Sequence, residues 1–211
     1  LCVTVSGGFP DSENRVIFVD TENAFKVERI HQIAESRGFD PENIMKKIFV
    51  CQIYYSAHLE AVIRSLAKSI EQYKAKLVII DSIISLYRAE FPGRETLAER
   101  QQRLNTILHK LKRLAEIYNI AIVYTNQVQT QPDNLFGNSF DSARAAGGNI
   151  MGHASTYRIF LRKMGHNRMA TMFDSPFHAY SQVKFTIGEN GIQDLERKAS
   201  KALAGNSEFG W

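Results

Sequence analysis

Short apolar runs that alternate with longer amphipathic segments constrain the fold of this chain more than any other feature of its sequence. Residues 16–20, 48–53 and 77–81 are almost continuously apolar, which is the pattern of strands buried on both faces of a sheet. The segments between these runs repeat apolar residues every three or four positions, as the buried face of a helix does. Because strands alternate with helices, the sequence predicts an α/β fold with a mainly parallel sheet flanked by helices.

The remaining predicted elements follow the same periodicity and then change in character near residue 150. Helices are predicted over residues 27–37, 57–73 and 95–118, and a fourth strand over 120–125. Shorter strands are predicted over 157–162, 169–173 and 183–187, and the Glu-Asn-Gly sequence at 189–191 is typical of a hairpin turn. We therefore expect the parallel core to carry an antiparallel C-terminal extension.

Composition excludes several classes of protein. The 211 residues are 44% hydrophobic and 23% charged, as in ordinary globular proteins, and no apolar run is long enough to cross a bilayer, so no membrane partner is expected. The only cysteines, Cys2 and Cys51, are too few for a disulfide framework or a zinc site, which favours an intracellular protein. The net charge of +4 permits a nucleic-acid partner but does not require one.

Acidic residues stand at the ends of two predicted strands. The first strand runs into Asp20-Thr-Glu22, and the third into Asp81-Ser82. In open parallel sheets, ligands bind at the carboxyl ends of the strands, where acids can hold Mg²⁺ and orient an attacking water molecule. An acid in this position can equally cap the backbone that follows. The residues alone leave both interpretations open.

Four arginines lie close together in the middle of the chain. Arg88 and Arg94 flank a Phe-Pro-Gly turn, and Arg100 and Arg103 lie near the start of the long predicted helix. Clustered arginines suit phosphate contacts, because the guanidinium group can bind a phosphate with two parallel hydrogen bonds. Three neighbouring glutamates could neutralise this charge, in which case the segment is an ordinary solvated helix start.

Polar residues and glycines follow the fourth predicted strand. The amide of Gln127 could contact a terminal phosphate or cap the next loop. Residues 128–147 are polar and contain glycine and proline. A connection of about 20 residues is uncommon in a compact domain and is usually functional, although a decorative insertion is the alternative.

Gly147 and Gly148 indicate a hinge or a close backbone approach. His153 is a lone histidine, which is more often structural than catalytic.

Several motifs of this chain resemble the RecA/RadA-type recombinases, the archaeal RadA proteins and their eukaryotic counterparts. The matching stretches are residues 20–22, 77–82, 88–94, 97–102, 125–128, 147–155, 161–163 and 174–176. The resemblance covers residues 1–196 and implies a RecA-like P-loop NTPase core, followed by a tail over 197–211.

The resemblance also implies an activity. Members of this family are DNA-dependent ATPases of DNA repair and homologous recombination, which use ATP and Mg²⁺. They assemble into helical filaments or rings on single-stranded DNA and exchange strands with a homologous duplex. We therefore expect single- and double-stranded DNA and further copies of the protein as partners. The expected location is the cytoplasm of an archaeon or the nucleus of a eukaryote.

For the nucleotide site, the resemblance implies five residues. Glu22 matches the carboxylate that orients the hydrolytic water, and Asp81, with Ser82 beside it, matches the acid near Mg²⁺. Arg29 matches the arginine that stacks on adenine, and His153 matches a residue that approaches the γ-phosphate across the subunit interface.

For the DNA site, the resemblance implies two loops joined to the nucleotide by Gln127, which matches the residue that couples the γ-phosphate to the second loop. The first loop and its flank contain Arg88, Arg94 and Arg100. The second loop corresponds to residues 128–147 and includes Gln131, Arg144 and Gly147, with Gly148 immediately after it.

Three features depart from the family pattern. The sequence has no Gly-x-x-x-x-Gly-Lys-Ser/Thr loop, whose backbone and lysine hold phosphates; in the family this loop lies a few residues before the position of Leu1. We therefore expect a fragment that binds ATP poorly and hardly hydrolyses it. Residues 177–182 contain no acid where the family caps the neighbouring subunit's ATP. The family's N-terminal helical domain and polymerisation linker are also absent, so filament formation by this piece alone is not expected.

Two other functions remain open at this point. One is a non-catalytic recombinase paralogue, a regulatory module that binds DNA or protein and lacks the phosphate loop altogether. The other is a hexameric helicase-like ATPase on the same core, against which the sequences at 93–102 and 125–128 argue. Only the sequence upstream of Leu1 separates a fragment from a paralogue.

Overall fold

The computed structural model describes residues 1–7, 14–130 and 143–195. The predicted tail and Gln131 lie outside these residues. The described helices are α1 (Cys2–Gly7), α2 (Val27–Ser36), α3 (Pro41–Met45), α4 (Ser56–Tyr73), α5 (Ser85–Glu90), α6 (Leu97–Tyr118) and α7 (Gly148–Ala154). The described strands are β1 (Arg15–Asp20), β2 (Ile48–Gln52), β3 (Ala75–Asp81), β4 (Ala121–Tyr124), β5 (Val128–Thr130), β6 (Ala143–Ala145), β7 (Arg158–Met164), β8 (Asn167–Asp174), β9 (Ser181–Gly188) and β10 (Gly191–Asp194).

Two main sheets confirm the predicted architecture. Strands β1 to β4 form a parallel sheet in the order β2-β1-β3-β4, and β7 to β10 form an antiparallel sheet in the order β10-β9-β8-β7. A third, two-stranded sheet joins β5 and β6 at the described ends of the predicted 128–147 loop, where we expected no regular structure. The short helices α1, α3, α5 and α7 were not predicted.

Helices cover both faces of the parallel sheet. On one face, α4 and α6 bury apolar residues at the predicted three- and four-residue spacing, and those of α6 are Leu104, Ile107, Leu108, Leu111 and Leu114. On the other face, Cys2 of α1, Ala34 of α2 and Ile44 of α3 pack against strand residues such as Val16. Burial on both sides explains why the strands are almost continuously apolar.

The antiparallel sheet contacts the parallel core through α2. Arg29 Nη2 donates to the carbonyl of Gly188 at 2.5 Å, and Arg37 Nε donates to the carbonyl of Asn190 at 3.1 Å. Gly191, with a φ of 86°, completes the predicted hairpin turn beside Ile33. The extension is thus held by side chains of α2 that reach the main chain of the hairpin. Of the helices that the structure describes, none combines the length and apolarity needed to cross a membrane.

Candidate functional site

The predicted polar residues meet where three neighbouring strands of the parallel sheet end. Asp20 of β1 and Asp81 of β3 are paired in register, and the N–H of Thr21 donates to the carbonyl of Asp81 at 2.8 Å. The N–H of Thr125, just after β4, donates to the carbonyl of Ile80 at 3.0 Å. Because the strands are parallel, the residues that follow each of them leave the sheet at the same edge.

Asp20 is used to build the loop that carries Glu22. Its side chain is buried, and its carboxylate accepts hydrogen bonds from the N–H groups of Glu22 at 3.1 Å, Ala24 at 3.1 Å and Phe25 at 3.0 Å. Of the two interpretations open for strand-end acids, the capping one describes Asp20. Its carboxylate supports the turn and is not directed at a ligand.

Glu22 lies beyond this turn with an exposed carboxylate. Its Oε1 atom accepts a hydrogen bond from Ser82 Oγ at 2.7 Å and one from Gln127 Nε2 at 3.3 Å. Its Oε2 atom has no hydrogen-bond partner within the part of the chain that the structure describes. The structure therefore brings together three predicted site residues, and the carboxylate is held through one oxygen while the other can accept a proton.

Asp81 differs from Asp20 in having spare acceptor capacity. Its side chain is half-buried, and Oδ1 accepts a hydrogen bond from Thr125 Oγ1 at 2.6 Å. An exposed carboxylate oxygen beside a hydroxyl suits Mg²⁺, which commonly takes one or two protein carboxylates and completes its shell with water and phosphate oxygens. Within the described ranges, no group of three or more His, Cys, Asp or Glu side chains could hold a metal alone. Asp81 thus fits as a single protein ligand.

Two threonines for which the sequence predicted no role support this edge of the sheet. Thr21 Oγ1 accepts from the N–H of Ser82 and lies 2.8 Å from the Ser82 carbonyl oxygen, so it holds the backbone from which Ser82 contacts Glu22. Thr125 positions Asp81, as described above. Both directly follow a strand of the parallel sheet, and a hydroxyl residue in that position is the signal that could have identified them.

Gln127 connects Glu22 to the first predicted DNA-binding segment. Arg88, in the last turn of α5, donates from Nη1 to Gln127 Oε1 at 2.8 Å. The backbone carbonyl of Gln127 accepts from the N–H of Ala146 at 2.7 Å, which ties it to the end of the second predicted DNA-binding loop. Gln127 therefore contacts, through different atoms, all three predicted parts of the site.

The second predicted DNA-binding loop is anchored at both ends. Gln129 of β5 pairs with Arg144 of β6; the side chain of Arg144 is outside what the structure describes. Gly147 and Gly148 have φ angles of 90° and 64°, which favour glycine. A Cβ atom on Gly147 would lie 2.6 Å from Cγ of Met151. The close approach expected of the glycine pair is thus present at Gly147, and the hinge stays a prediction.

The other three arginines of the cluster differ in what their side chains contact. Arg103 stacks over Phe91 at 5.0 Å and bridges Glu60 at 3.3 Å and Glu99 at 2.8 Å, so its charge is neutralised as the alternative interpretation proposed. Arg100 Nη1 donates to the carbonyl of Phe91 at 3.0 Å and supports the turn. Arg94 is exposed, and no hydrogen bond of its side chain is present among the residues described.

Glu90 does not neutralise the arginines, because it contacts the start of α4. The N–H of Ser56 donates to Glu90 Oε1 at 2.6 Å, and the Ser56 hydroxyl donates to the other carboxylate oxygen. Of the four clustered arginines, Arg88 and Arg94 therefore remain the best placed to contact phosphate.

Arg29 and His153 lie apart from the Glu22 cluster. Arg29 is half-exposed on α2 and donates to the β9–β10 hairpin, and His153 is exposed on α7. In the described residues, no hydrogen bond links either side chain to Glu22, Ser82 or Gln127. The roles of Arg29 and His153 therefore stay predictions, since in the described residues of one chain neither side chain contacts the Glu22 cluster.

Comparison with known proteins gives a consistent result. The Rad51 family model matches residues 1–195. The DNA repair and recombination protein RadA of Cenarchaeum symbiosum is 44% identical over 182 residues, which are 86% of this chain and 45% of that protein. The protein of the same name from Aeropyrum pernix is 44% identical over 185 residues, which are 87% of this chain and 57% of that protein. The chain thus spans about half the length of the curated relatives it matches.

Proposed function

The chain belongs to the Rad51 family, and we propose that the protein containing it is an ATP-dependent recombinase of DNA repair and homologous recombination. In this proposal the protein binds single-stranded DNA, assembles with further copies of itself and exchanges strands with a homologous duplex. Residues 1–196 are its ATPase core, and the tail over 197–211 is given no role. The RadA names of its archaeal relatives support this assignment and a location inside the cell.

The observation that carries the proposal is the arrangement around Glu22. Ser82 and Gln127 hold its Oε1 atom at 2.7 and 3.3 Å, which leaves Oε2 to accept a hydrogen bond from a water molecule placed for attack on the terminal phosphate of ATP. Asp81 would hold Mg²⁺, which supplies neutralisation of the phosphate charge when bound. We further assign Arg29 to the adenine and His153 to the γ-phosphate of a neighbouring subunit's nucleotide.

Hydrolysis also requires a group that holds the phosphates. No Gly-x-x-x-x-Gly-Lys-Ser/Thr sequence occurs in the 211 residues, and the backbone N–H groups of such a loop are what normally bind them. We therefore propose that this chain alone turns over ATP hardly at all, and that the activity is a property of the whole protein.

DNA binding is assigned to Arg88, Arg94 and Arg100 and to the segment 128–147, including Gln131, Arg144 and Gly147, with Gly148 beside it. A recombinase must bind any sequence, and arginine contacts to the phosphate backbone supply affinity without reading bases. Arg88 and Arg94 support this assignment, because neither is paired with an acid among the described residues. We expect the affinity for DNA to fall steeply with salt.

The deciding experiment is an ATPase assay of the full-length protein with and without single-stranded DNA. The wild-type protein should hydrolyse ATP faster when the DNA is present, and Glu22→Gln should abolish turnover while DNA binding persists. A non-catalytic paralogue, which would bind DNA without hydrolysing ATP, is the other candidate that this assay tests. DNA binding without any stimulated turnover by the full-length wild-type protein would establish that candidate instead.

A further inference from the structure

Arg88 begins a line of hydrogen bonds that ends on the carboxylate of Glu22. Its Nη1 atom donates to Gln127 Oε1 at 2.8 Å, and Gln127 Nε2 donates to Glu22 Oε1 at 3.3 Å. Arg88 and Gln127 are 39 residues apart in the sequence, and Gln127 and Glu22 are 105 apart. One side chain predicted to bind DNA is therefore two hydrogen bonds from the carboxylate predicted to direct hydrolysis.

The chemistry of the two ends determines the orientation of the Gln127 amide between them. A guanidinium group can only donate hydrogen bonds, and an ionised carboxylate can only accept them. The amide must therefore turn its oxygen toward Arg88 and its NH₂ group toward Glu22. The reversed amide would place NH₂ against the guanidinium and oxygen against the carboxylate, and both contacts would be repulsive. Arg88 thus helps to set which group of Gln127 faces Glu22.

A phosphate group could displace Gln127 from its hydrogen bond with Arg88. The Arg88 side chain is only partly buried, and in the described part of the chain its sole hydrogen bond is the one to Gln127. An amide oxygen is a neutral acceptor, whereas a phosphate oxygen is charged and accepts hydrogen bonds about twice as strong, frequently two at once from one arginine. A phosphate group that approaches Arg88 is therefore the stronger partner for the guanidinium.

We propose that Arg88 is a positioning residue that exchanges partners. It binds Gln127 when no nucleic acid is present, and it binds a backbone phosphate when single-stranded DNA occupies the first loop. The exchange releases the Gln127 amide and so transmits DNA occupancy to Glu22 through a single side chain. This inference rests on the proposed function, because it takes DNA as the ligand and Glu22 as the group that directs the water.

Competition for one guanidinium has a thermodynamic consequence that does not depend on hydrolysis. If DNA must displace Gln127 from Arg88, the Arg88–Gln127 hydrogen bond lowers the affinity for DNA. Because this hydrogen bond is made only in the DNA-free state, its removal should raise the affinity for DNA by the factor by which it had lowered it. A residue that only supports the fold, or that itself contacts DNA, would lower the affinity when it is removed. The sign of the effect therefore distinguishes the exchange from other roles of Gln127.

The test measures binding of a fluorescently labelled oligodeoxythymidylate to the full-length protein without nucleotide, by fluorescence anisotropy. Gln127→Met retains the length of the side chain and the backbone hydrogen bond to Ala146 but removes the amide. We expect it to bind the oligonucleotide about two- to tenfold more tightly than the wild type. Arg88→Met should bind more weakly, and adding Gln127→Met to Arg88→Met should bring no gain. Gln72→Met, at an exposed glutamine of α4, is the matched control and should bind as the wild type does.

The outcomes separate this inference from the proposed function. Unchanged or weaker binding by Gln127→Met, or an equal gain in the Arg88→Met background, would overturn the exchange and leave the recombinase assignment intact. Failure of the wild-type protein to bind the oligonucleotide in any nucleotide state would overturn both. Gln127→Leu provides a second apolar replacement, and thermal unfolding of each variant checks that the fold is retained.

Discussion

The ends of β1 and β3 look alike in sequence and are used differently in the structure. Each strand is an apolar run that finishes in aspartate, and Asp20 and Asp81 lie directly opposite each other. Asp20 is 3% exposed and accepts three backbone N–H groups, whereas Asp81 is half-buried and accepts one threonine hydroxyl. A strand-end acid therefore braces a loop when backbone donors converge on it and remains available to a ligand when they do not.

The backbone after each strand explains the difference. After β1 the chain turns sharply, with Asn23 at a φ of 54°, and several N–H groups point back toward the strand end. After β3 the N–H of Ser82 is taken by Thr21, and that of Ile83 by the carbonyl of Thr125. Neighbouring strand ends thus satisfy these donors and leave Asp81 without them.

The largest expected effect concerns Glu22, which lies on the loop after β1. Glu22→Gln in the full-length protein should lower DNA-stimulated ATP turnover about 1,000-fold, because an amide cannot accept the proton of the attacking water. Binding of nucleotide and of DNA should change little. Steady-state turnover together with equilibrium binding checks this. Near-normal turnover by Glu22→Gln, combined with loss of turnover in folded Asp20→Asn protein, would reverse the roles given to the two acids.

The second effect is on stability and separates the two aspartates directly. Asp20→Ala should lower the free energy of unfolding by about 3 kcal/mol, because three backbone N–H groups lose their acceptor near a buried site. Asp81→Ala should lower it by less than about 1 kcal/mol, since it loses one hydrogen bond at a partly exposed site. Urea unfolding of both variants measures the difference. Equal losses would show that the two strand ends are braced in the same way.

The third effect is on the metal. Asp81→Asn should weaken Mg²⁺-dependent nucleotide binding by the full-length protein about tenfold. This is the lower end of the loss in affinity that follows when a residue supporting a metal site is replaced. Chelation of Mg²⁺ with EDTA should bring the wild type and the variant to the same affinity. Titration with a fluorescent ATP analogue, with and without the metal, makes the comparison. A tenfold gap that survives chelation would mean that Asp81 contacts the nucleotide and not the ion.

The smallest effect concerns the end of β4, the third strand at this edge. Burial raises the pKa of Tyr124, partly offset by its hydrogen bond with Ser155, and the two hydroxyls lie 2.6 Å apart. The folded pKa is thus above the unfolded value near 10. The contribution of Tyr124 is therefore present below about pH 10 and is lost as the pH rises through the folded pKa.

We expect wild-type protein to be more stable than Tyr124→Phe at neutral pH, and the gap to narrow above about pH 10. Denaturant unfolding across this range measures it. A gap that stays constant into alkaline solution would indicate that the Tyr124 hydroxyl is not protected from ionisation by the fold.

Periodic features of the fold could be predicted from the sequence, and short irregular ones could not. The stripe on α6 and the strand at 77–81 are strongly periodic or continuously apolar, so their type and approximate position followed from pattern alone. Helices α1, α3, α5 and α7 have five to seven residues, which is too short for a period to appear. The β5–β6 pairing joins segments separated in sequence and is stabilised by contacts that no local pattern contains.

The sequence predicted which strand-end residues meet at one edge of the sheet, but not how their side chains connect. Strand ends placed Glu22, Asp81 and Gln127 at one edge, because parallel strands share that edge. Pairing of Arg103 with Glu99 follows from their four-residue spacing on a helix. The contact between Arg88 and Gln127, and the use of Glu90 to bind Ser56, depend on how α5 is packed. Side-chain partners of this kind are set by tertiary structure and leave no signal in a single sequence.

The contact between α2 and the β9–β10 hairpin has a consequence for divergence within the family. Arg29 and Arg37 bind carbonyl oxygens of residues 188–190, which every amino acid possesses. Substitutions at Glu189 or Asn190 should therefore leave the docking intact, whereas substitution of either arginine should not. We expect natural variants to differ at Glu189 and Asn190 in the hairpin and to conserve Arg29 and Arg37 of α2. Relatives could then change the surface of the turn without changing how the two sheets meet.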